Sequence, residues 1–439
     1  MIKKEDRTFI LFLLLIHLVY FLFQAINQNH TLNDSKEYLQ MAENIRQGLF
    51  YCGGPGENVN PDFYTKRPPA YPLFIFLGHL ICHHPFLILF LQNILSFFSL
   101  LWLRNSLFAI GYKTAFDKYF ILLSLFSPSQ FIYANMIMSE ILFQFFVTGM
   151  FIFLLLFILR KQWKYMILYH LFLTLGVFTK PILFPFAFIN LFFILFISIK
   201  QKNILPFLAS LFPLVMIILY MNFNKKRTGV QHFSSIQKIN LIDYNVNYFL
   251  VSKYGEQYAD SVVRKVKSEA SEKDNYRDEY SFTMQKGKEI LLNDEASYVW
   301  YHIKGVWRYF MDPGRFDLSN FLGLEDIQGK GLYYILHYEG WKAAIKFLLS
   351  QNVLLLIFLI MIMFFNILKT AGLMMFEFNS EIPVEIRLFV FLLVFYFAGV
   401  TGPIAASRFA VPVLPLFIGT GAMSIRKIVI WIKKRLIPN

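Results

Sequence analysis

The chain has 439 residues, of which 56% are hydrophobic and 16% charged, with a formal charge of +14. Soluble domains carry roughly 45 to 50% apolar and about 25% charged residues, so this composition excludes an ordinary aqueous core. The positive charge would suggest nucleic acid in a soluble chain. Here Lys and Arg gather between apolar runs, where they orient helices and meet anionic membrane lipids, and no nucleic-acid partner is expected.

In chain order, Lys3, Lys4 and Arg7 precede an apolar run from Phe9 to Phe23. A signal peptide would begin in the same way, but the run is long and Asn27-Gln28-Asn29-His30 follow it without a small-x-small cleavage pattern. The reading is an uncleaved first helix. Candidate spans follow at 8–26, 86–104, 119–137, 141–159, 165–179, 182–199, 204–222, 347–367, 387–403 and 409–424, about ten in all. With a cytoplasmic N-terminus, the basic clusters at 104–118, 160–164, 200–202 and 426–435 all fall inside, while the opposite short loops carry only Lys180 and Arg408. The positive-inside rule then predicts a multi-pass protein of the cell inner (plasma) membrane with both termini cytoplasmic.

The expected fold is therefore an all-α polytopic integral membrane protein in three parts. Residues 1–222 form a transmembrane module that includes an outer loop at 27–85. Residues 223–346 form a larger extracytoplasmic loop or small helical domain, and residues 347–439 hold the last spans and a basic cytoplasmic tail. Within the first loop, Tyr38, Met41, Ala42 and Ile45 recur at helical spacing, predicting a short amphipathic helix in the interface. Cys52-Gly-Gly-Pro-Gly56 breaks the chain, and the apolar segment Leu73 to Ile81, too short to span, reads as a second juxtamembrane helix.

Ionisable residues in or beside spans are costly, so each is a candidate. Asp34 opens Asp34-Ser-Lys-Glu37; it is either half of a capping box with Glu37 or a general base at the membrane surface, and the roles can coexist. Arg67, stiffened by Pro68 and Pro69, and Lys66 beside it suit either a lipid headgroup anchor or a bound phosphate. Glu140 is the only acid between Asp117 and Asp243; the competing reading is a helix N-terminal carboxylate capped by Ser139. Lys180 and Arg408 run against the positive-inside trend, through snorkelling or an anionic partner. Hydropathy and the inner basic clusters place all five on one, outer, face, which suits an anionic membrane-bound substrate. His79 and His83, with Cys82 and His84 nearby, could ligate a metal but fit interfacial packing better, and no metal site is assigned. Cys52 and Cys82 allow one disulfide, though two unrelated thiols are the simpler reading. Gly53-Gly54-Pro-Gly56 lacks the context of a nucleotide loop.

Asp34-Ser-Lys-Glu-Tyr-Leu-Gln-Met-Ala-Glu43 resembles the first-loop motif of GT-C superfamily glycosyltransferases, in particular the protein O-mannosyltransferase and lipid A aminoarabinose transferase group. Arg67-Pro-Pro-Ala-Tyr-Pro72, Ser139-Glu140, Thr179-Lys-Pro181 and Ser407-Arg-Phe-Ala-Val-Pro412 resemble further motifs of that group in matching order. The resemblance implies a GT-C-like bundle that uses a polyprenyl-phosphate sugar donor and a lipid, glycan or protein acceptor at the outer face. It implies Asp34 as catalytic base, with Glu140 ordering a cation or the loop. Arg67, Lys180 and Arg408 would bind the donor phosphate, and Tyr38 and Tyr71 would line the substrate. Inversion at the anomeric carbon is the usual outcome, no cofactor is required, and a divalent cation is compatible. The chain departs from relatives with a second acid after the first, having Ser35 there. A transporter or flippase of lipid-linked glycans would need polar midplane residues and broken helices. A polymerase or ligase would instead depend on His232, His302 or His337 in the second loop.

Overall fold

A computed structural model describes residues 4–54, 59–324, 331–332, 335, 339–350, 352–402, 404 and 406–436, with side chains between 6 and 425. Lys3, Gly56, His337 and the side chains of Lys4 and of the basic tail from Arg426 to Arg435 lie outside the described residues. The fold is all-helical, and eight helices among the described residues are long and apolar enough to cross a membrane. The chain is a multi-pass helical membrane protein.

The first half comprises α1 (Lys4–Asn27), α2 (Asn33–Arg46), α3 (Ala70–Ile81), α4 (Pro85–Leu107), α5 (Asp117–Leu125), α6 (Pro128–Ala134), α7 (Glu140–Arg160), α8 (Trp163–Thr179), α9 (Phe184–Lys200), α10 (Leu205–Ala209) and α11 (Leu211–Thr228). Helices α2 and α3 are the two short helices expected in the first loop. The segment expected to span at 119–137 is instead two short helices. Ser127 leaves helical geometry at φ −132° and ψ 59°, the restriction expected of a residue preceding a proline, here Pro128. The Lys369 ammonium donates to the Ser127 hydroxyl at 2.7 Å beside the freed end of α5, where a cation offsets unpaired carbonyls. Helix α8 has 17 residues, short of the roughly 20 needed to span untilted.

After Gly229, whose φ of +77° ends α11, the second loop folds into α12 (Ile236–Ile239), a π-helical turn (Asn240–Val246), α13 (Asn247–Tyr254), α14 (Glu256–Ser271), α15 (Tyr276–Leu292), α16 (Glu295–Met311) and α17 (Arg315–Phe321). Then come α18 (Gly340–Ser350), α19 (Val353–Glu377), α20 (Val384–Thr401), α21 (Ser407–Ala410) and α22 (Leu414–Leu436). The span expected from residue 347 starts instead at Val353, because Asn352 Oδ1 accepts from the Leu354 and Leu355 amides at 2.9 and 3.3 Å and so caps α19.

Two ends of the bundle carry separate ion networks. At the start of α1, Asp6 meets Arg104 at 2.7 Å, and Arg104 also holds Asp117 at 2.6 Å. Beyond the other end of α1 lies α2, which brings Asp34 to the opposite network. The main apolar core between them draws on α1, α4, α5, α7, α8, α9, α19, α20 and α22.

Candidate functional site

Helix α2 buries Ser35, Tyr38, Met41 and Ala42 on one face, as its apolar spacing requires, and this fixes the direction of its acidic edge. The capping box expected of Asp34 and Glu37 is not formed. Leu32 is the N-cap; its amide donates to Ser35 Oγ at 2.8 Å and its carbonyl accepts from the Ser35 amide at 2.9 Å. Ser35 Oγ also donates to the Ile137 carbonyl at 2.8 Å, tying α2 to the chain ahead of α7. Asp34 and Glu37, one turn apart, are left free to point away from the backbone.

Both carboxylates meet cations. Arg67 donates to Asp34 Oδ1 through Nη2 at 2.7 Å and to Glu37 Oε2 through Nε at 2.6 Å, and Lys66 reaches Glu37 Oε1 at 2.6 Å. Arg408 donates through Nη2 to Asp34 Oδ2 at 2.7 Å and through Nε to Glu140 Oε1. Lys180 reaches the same Glu140 oxygen at 2.7 Å. The result is one alternating chain, Lys66, Glu37, Arg67, Asp34, Arg408, Glu140 and Lys180, with four cations and three carboxylates. It joins Asp34, Arg67, Glu140, Lys180 and Arg408, the five isolated charges singled out in the sequence.

The members are not equally accessible. The Glu140 side chain is 0% exposed and its Oε2 has no hydrogen-bond partner among the described residues, whereas the Asp34 side chain is 28% exposed. Burial pushes the Asp34 carboxyl up, but the guanidiniums of Arg67 and Arg408 outweigh it and hold the group well below the usual carboxylate range. Asp34 is therefore an ionised, weakly basic carboxylate while both arginines face it.

Tyr38 and Tyr71 lie beneath the chain of charges rather than on its open side. The Arg67 guanidinium stands 4.9 Å over the Tyr38 ring, and Tyr38 Oη is 3.1 Å from Ser139 Oγ. Ser139 thus engages Tyr38 and makes no side-chain cap on α7. Tyr71 packs edge-on against Tyr38 at 4.9 Å, is wholly buried, and donates to Gln92 Oε1 at 2.6 Å. These two rings support Arg67 from below.

A second buried layer was not legible in the sequence. Asp312 Oδ2 accepts from the Ser407 amide at 2.6 Å, and Ser407 Oγ donates to Asp317, which also accepts from Tyr133 at 2.7 Å. The two acids hold Ser407 from both sides and so orient the neighbouring Arg408. Gly314, between them, has a φ of +73°, and a Cβ there would lie 2.9 Å from Ser407 Oγ, so both backbone conformation and space call for glycine.

The remaining candidates lie elsewhere. His79 and His83 pack against each other with ring centroids 4.3 Å apart and the rings tilted by 52°, and among the described residues no three His, Cys, Asp or Glu side chains gather as a metal site would. Cys52 and Cys82 are free thiols. His232 faces Thr65 Oγ1 at 2.7 Å, and burial lowers its pKa to about 4, leaving it neutral near pH 7. His302 is engaged by the Gly399 carbonyl. Because each acid of the ion chain already faces a guanidinium or ammonium, the set suits an incoming anion better than a divalent cation. Comparison with known proteins returns no match among family models, curated proteins or solved structures.

Proposed function

We propose that this chain is a membrane glycosyltransferase of the GT-C type, which moves a sugar from a polyprenyl-phosphate donor to a lipid, glycan or protein acceptor at the extracytoplasmic face. The observation that carries the reading is the doubly held carboxylate: Asp34 lies between Arg67 and Arg408 at 2.7 Å from each, in a set where cations outnumber acids. A phosphate entering here competes with Asp34 for both guanidiniums, which bind phosphate and carboxylate through the same forked donors. As the arginines turn to the phosphate, Asp34 loses the charges that suppress its basicity, so the base becomes effective only when the donor is present.

In the transfer step, Asp34 takes the proton of the acceptor hydroxyl while that hydroxyl's oxygen bonds to the anomeric carbon. The bond from that carbon to the phosphate oxygen breaks, and the electron pair leaves on the lipid phosphate. Arg67, Arg408 and Lys180 stabilise the charge that develops there. Attack opposite the leaving phosphate inverts the anomeric centre. Glu140 holds Arg408 and Lys180 in place.

An apolar cleft of about 610 Å³ supports a lipid-borne donor. It runs between α1 and α19, lined by Val19, Tyr20, Phe23, Phe321, Leu355 and Phe358. Phe321 closes α17, whose Asp317 bonds the residue next to Arg408, so tail and phosphate sites share one short helix. A transporter would be expected to have a charged path at the midplane; Lys369, a buried charge within a span, is engaged with Ser127 at a helix break and reads as part of the packing.

The deciding measurement is release of polyprenyl phosphate from labelled lipid-linked sugars by purified, folded Asp34→Asn protein. The proposal requires turnover to be lost, and retained turnover removes Asp34 as the base.

A further inference from the structure

The second loop contains two helices of nearly equal length with opposite exposed faces. On α14 the exposed side chains are polar apart from Tyr258, among them Glu256, Gln257, Arg264, Lys265 and Lys267. That face belongs in water. On α16 every exposed side chain from residue 299 onward is large and apolar: Val299 and Trp300, then Ile303, then Trp307, spaced along one helical face. Trp300 and Trp307 are 62% and 67% exposed, far from the buried state such rings reach in an aqueous protein.

The other face of α16 is already occupied by the bundle. Tyr301, Gly305, Tyr309 and Phe310 are buried; Phe310 lies 5.6 Å from Phe395 of α20 and 6.0 Å from Phe417 of α22. His302 reaches the Gly399 carbonyl, and the next residue of α20, Val400, is itself 46% exposed on a membrane-spanning helix. The apolar row of α16 therefore continues the outer surface of the spans. Helix α18 repeats the pattern with Trp341, Ile345 and Leu349 exposed one turn apart, and Lys342 and Lys346 exposed beside them. Amphipathic helices with an apolar ridge edged by lysines lie in the bilayer interface, and Trp is enriched at that depth.

We infer that α16 and α18 are seated in the outer interface of the bilayer, with Trp300, Trp307 and Trp341 among the lipid headgroups and upper acyl chains. The stretch 229–294, ahead of α16, is then the part of the second loop that faces water. The inference rests on exposed residues and on continuity with the spans, and it stands or falls independently of the proposed reaction.

The test is fluorescence of the full-length protein in phosphatidylcholine vesicles containing some phosphatidylglycerol, with or without bromine high on the acyl chains. Wild type is compared with Trp300→Phe and Trp307→Phe, conservative changes at exposed positions whose folding is checked by gel filtration. The difference spectrum assigned to each Trp should be blue-shifted and should lose more than about half its intensity to the bromolipid, as an interfacial ring does. A water-like, unquenched signal overturns the inference. So does a blue-shifted signal that ignores the bromolipid and turns water-like on dilution to monomers in detergent, which would assign the face to a second copy of the chain.

Discussion

Asp34 and Arg408 are 374 positions apart in sequence, and Arg408 Nη2 lies 2.7 Å from Asp34 Oδ2. One residue stands on the first helix after α1 and the other at the start of the last span, so the contact closes the whole bundle on itself. Through its Nε the same guanidinium reaches Glu140, so Arg408 ties α2 and α7 to the start of the last span.

Replacing Arg408 should therefore cost stability as well as activity. Arg408→Ala leaves the fully buried Glu140 with Lys180 alone, and loss of about 3 kcal/mol is expected, the low end for a broken buried pair because second cations remain. Arg408→Lys should fall between, since one ammonium lacks the fork that spans two carboxylates. Thermal unfolding in detergent measures both; an unchanged midpoint for the Ala variant would remove the ion chain as a structural element.

Asp34 and Ser35 should separate chemistry from helix capping. Asp34→Asn leaves the start of α2 intact, because Ser35 makes the box with Leu32, and turnover should drop by about 100-fold or more, with a loss of stability that comes from the ion pairs to Arg67 and Arg408 rather than from the helix start. Ser35→Ala leaves the Leu32 amide and the Ile137 carbonyl without their partner and should destabilise the protein by about 1 to 3 kcal/mol. The release assay on folded protein distinguishes the two: Ser35→Ala should keep the turnover that Asp34→Asn loses, and retained turnover in Asp34→Asn would leave Asp34 a purely structural role.

Asp317 should contribute a pH dependence of definite sign. Burial pushes its carboxyl up from 3.8 to about 6, with Asp312 adding to the effect and Ser407, Tyr133 and Arg408 opposing it. The folded protein binds this proton more tightly than the unfolded chain, so the stability it adds is complete below pH 3.8 and is lost as the pH rises to about 6. The change across that window is about 3 kcal/mol. Asp317→Asn should flatten it, read as the difference between variant and parent midpoints over a pH series. A constant difference would mean that the carboxyl does not titrate there.

Two glycines on neighbouring spans provide a packing test. A Cβ on Gly372 would lie 2.6 Å from the Gly421 Cα, a backbone atom that cannot step aside, whereas one on Gly399 meets nothing within 4 Å. Gly372→Ala should cost about 2 kcal/mol or more by overpacking α19 against α22, while Gly399→Ala changes little. Equal midpoints for the two variants would mean that the helices are not packed this closely.

Much of this protein was legible as sequence because the membrane imposes its own arithmetic. Apolar run lengths located the eight long apolar helices, and isolated charges stood out since each is costly in that setting: Glu140 among apolar neighbours, Lys180 and Arg408 against the trend of the basic clusters. What periodicity could not supply was the partner of each charge. The spacing of Asp34 and Glu37 fits a capping box, yet Ser35, whose hydroxyl points inward against Ile137, makes the bond. Tyr71 sits in a motif and turns out to be buried against Gln92. Asp312 and Asp317 lie in a loop with no pattern of their own, and only the fold shows that they hold Ser407. Run length and charge cost are local properties of the chain, so the sequence alone determined a membrane bundle with a short set of candidate charges. Which of those charges meet, and which exposed tryptophans continue the lipid-facing surface, depends on contacts across hundreds of residues, and only the tertiary structure decided it.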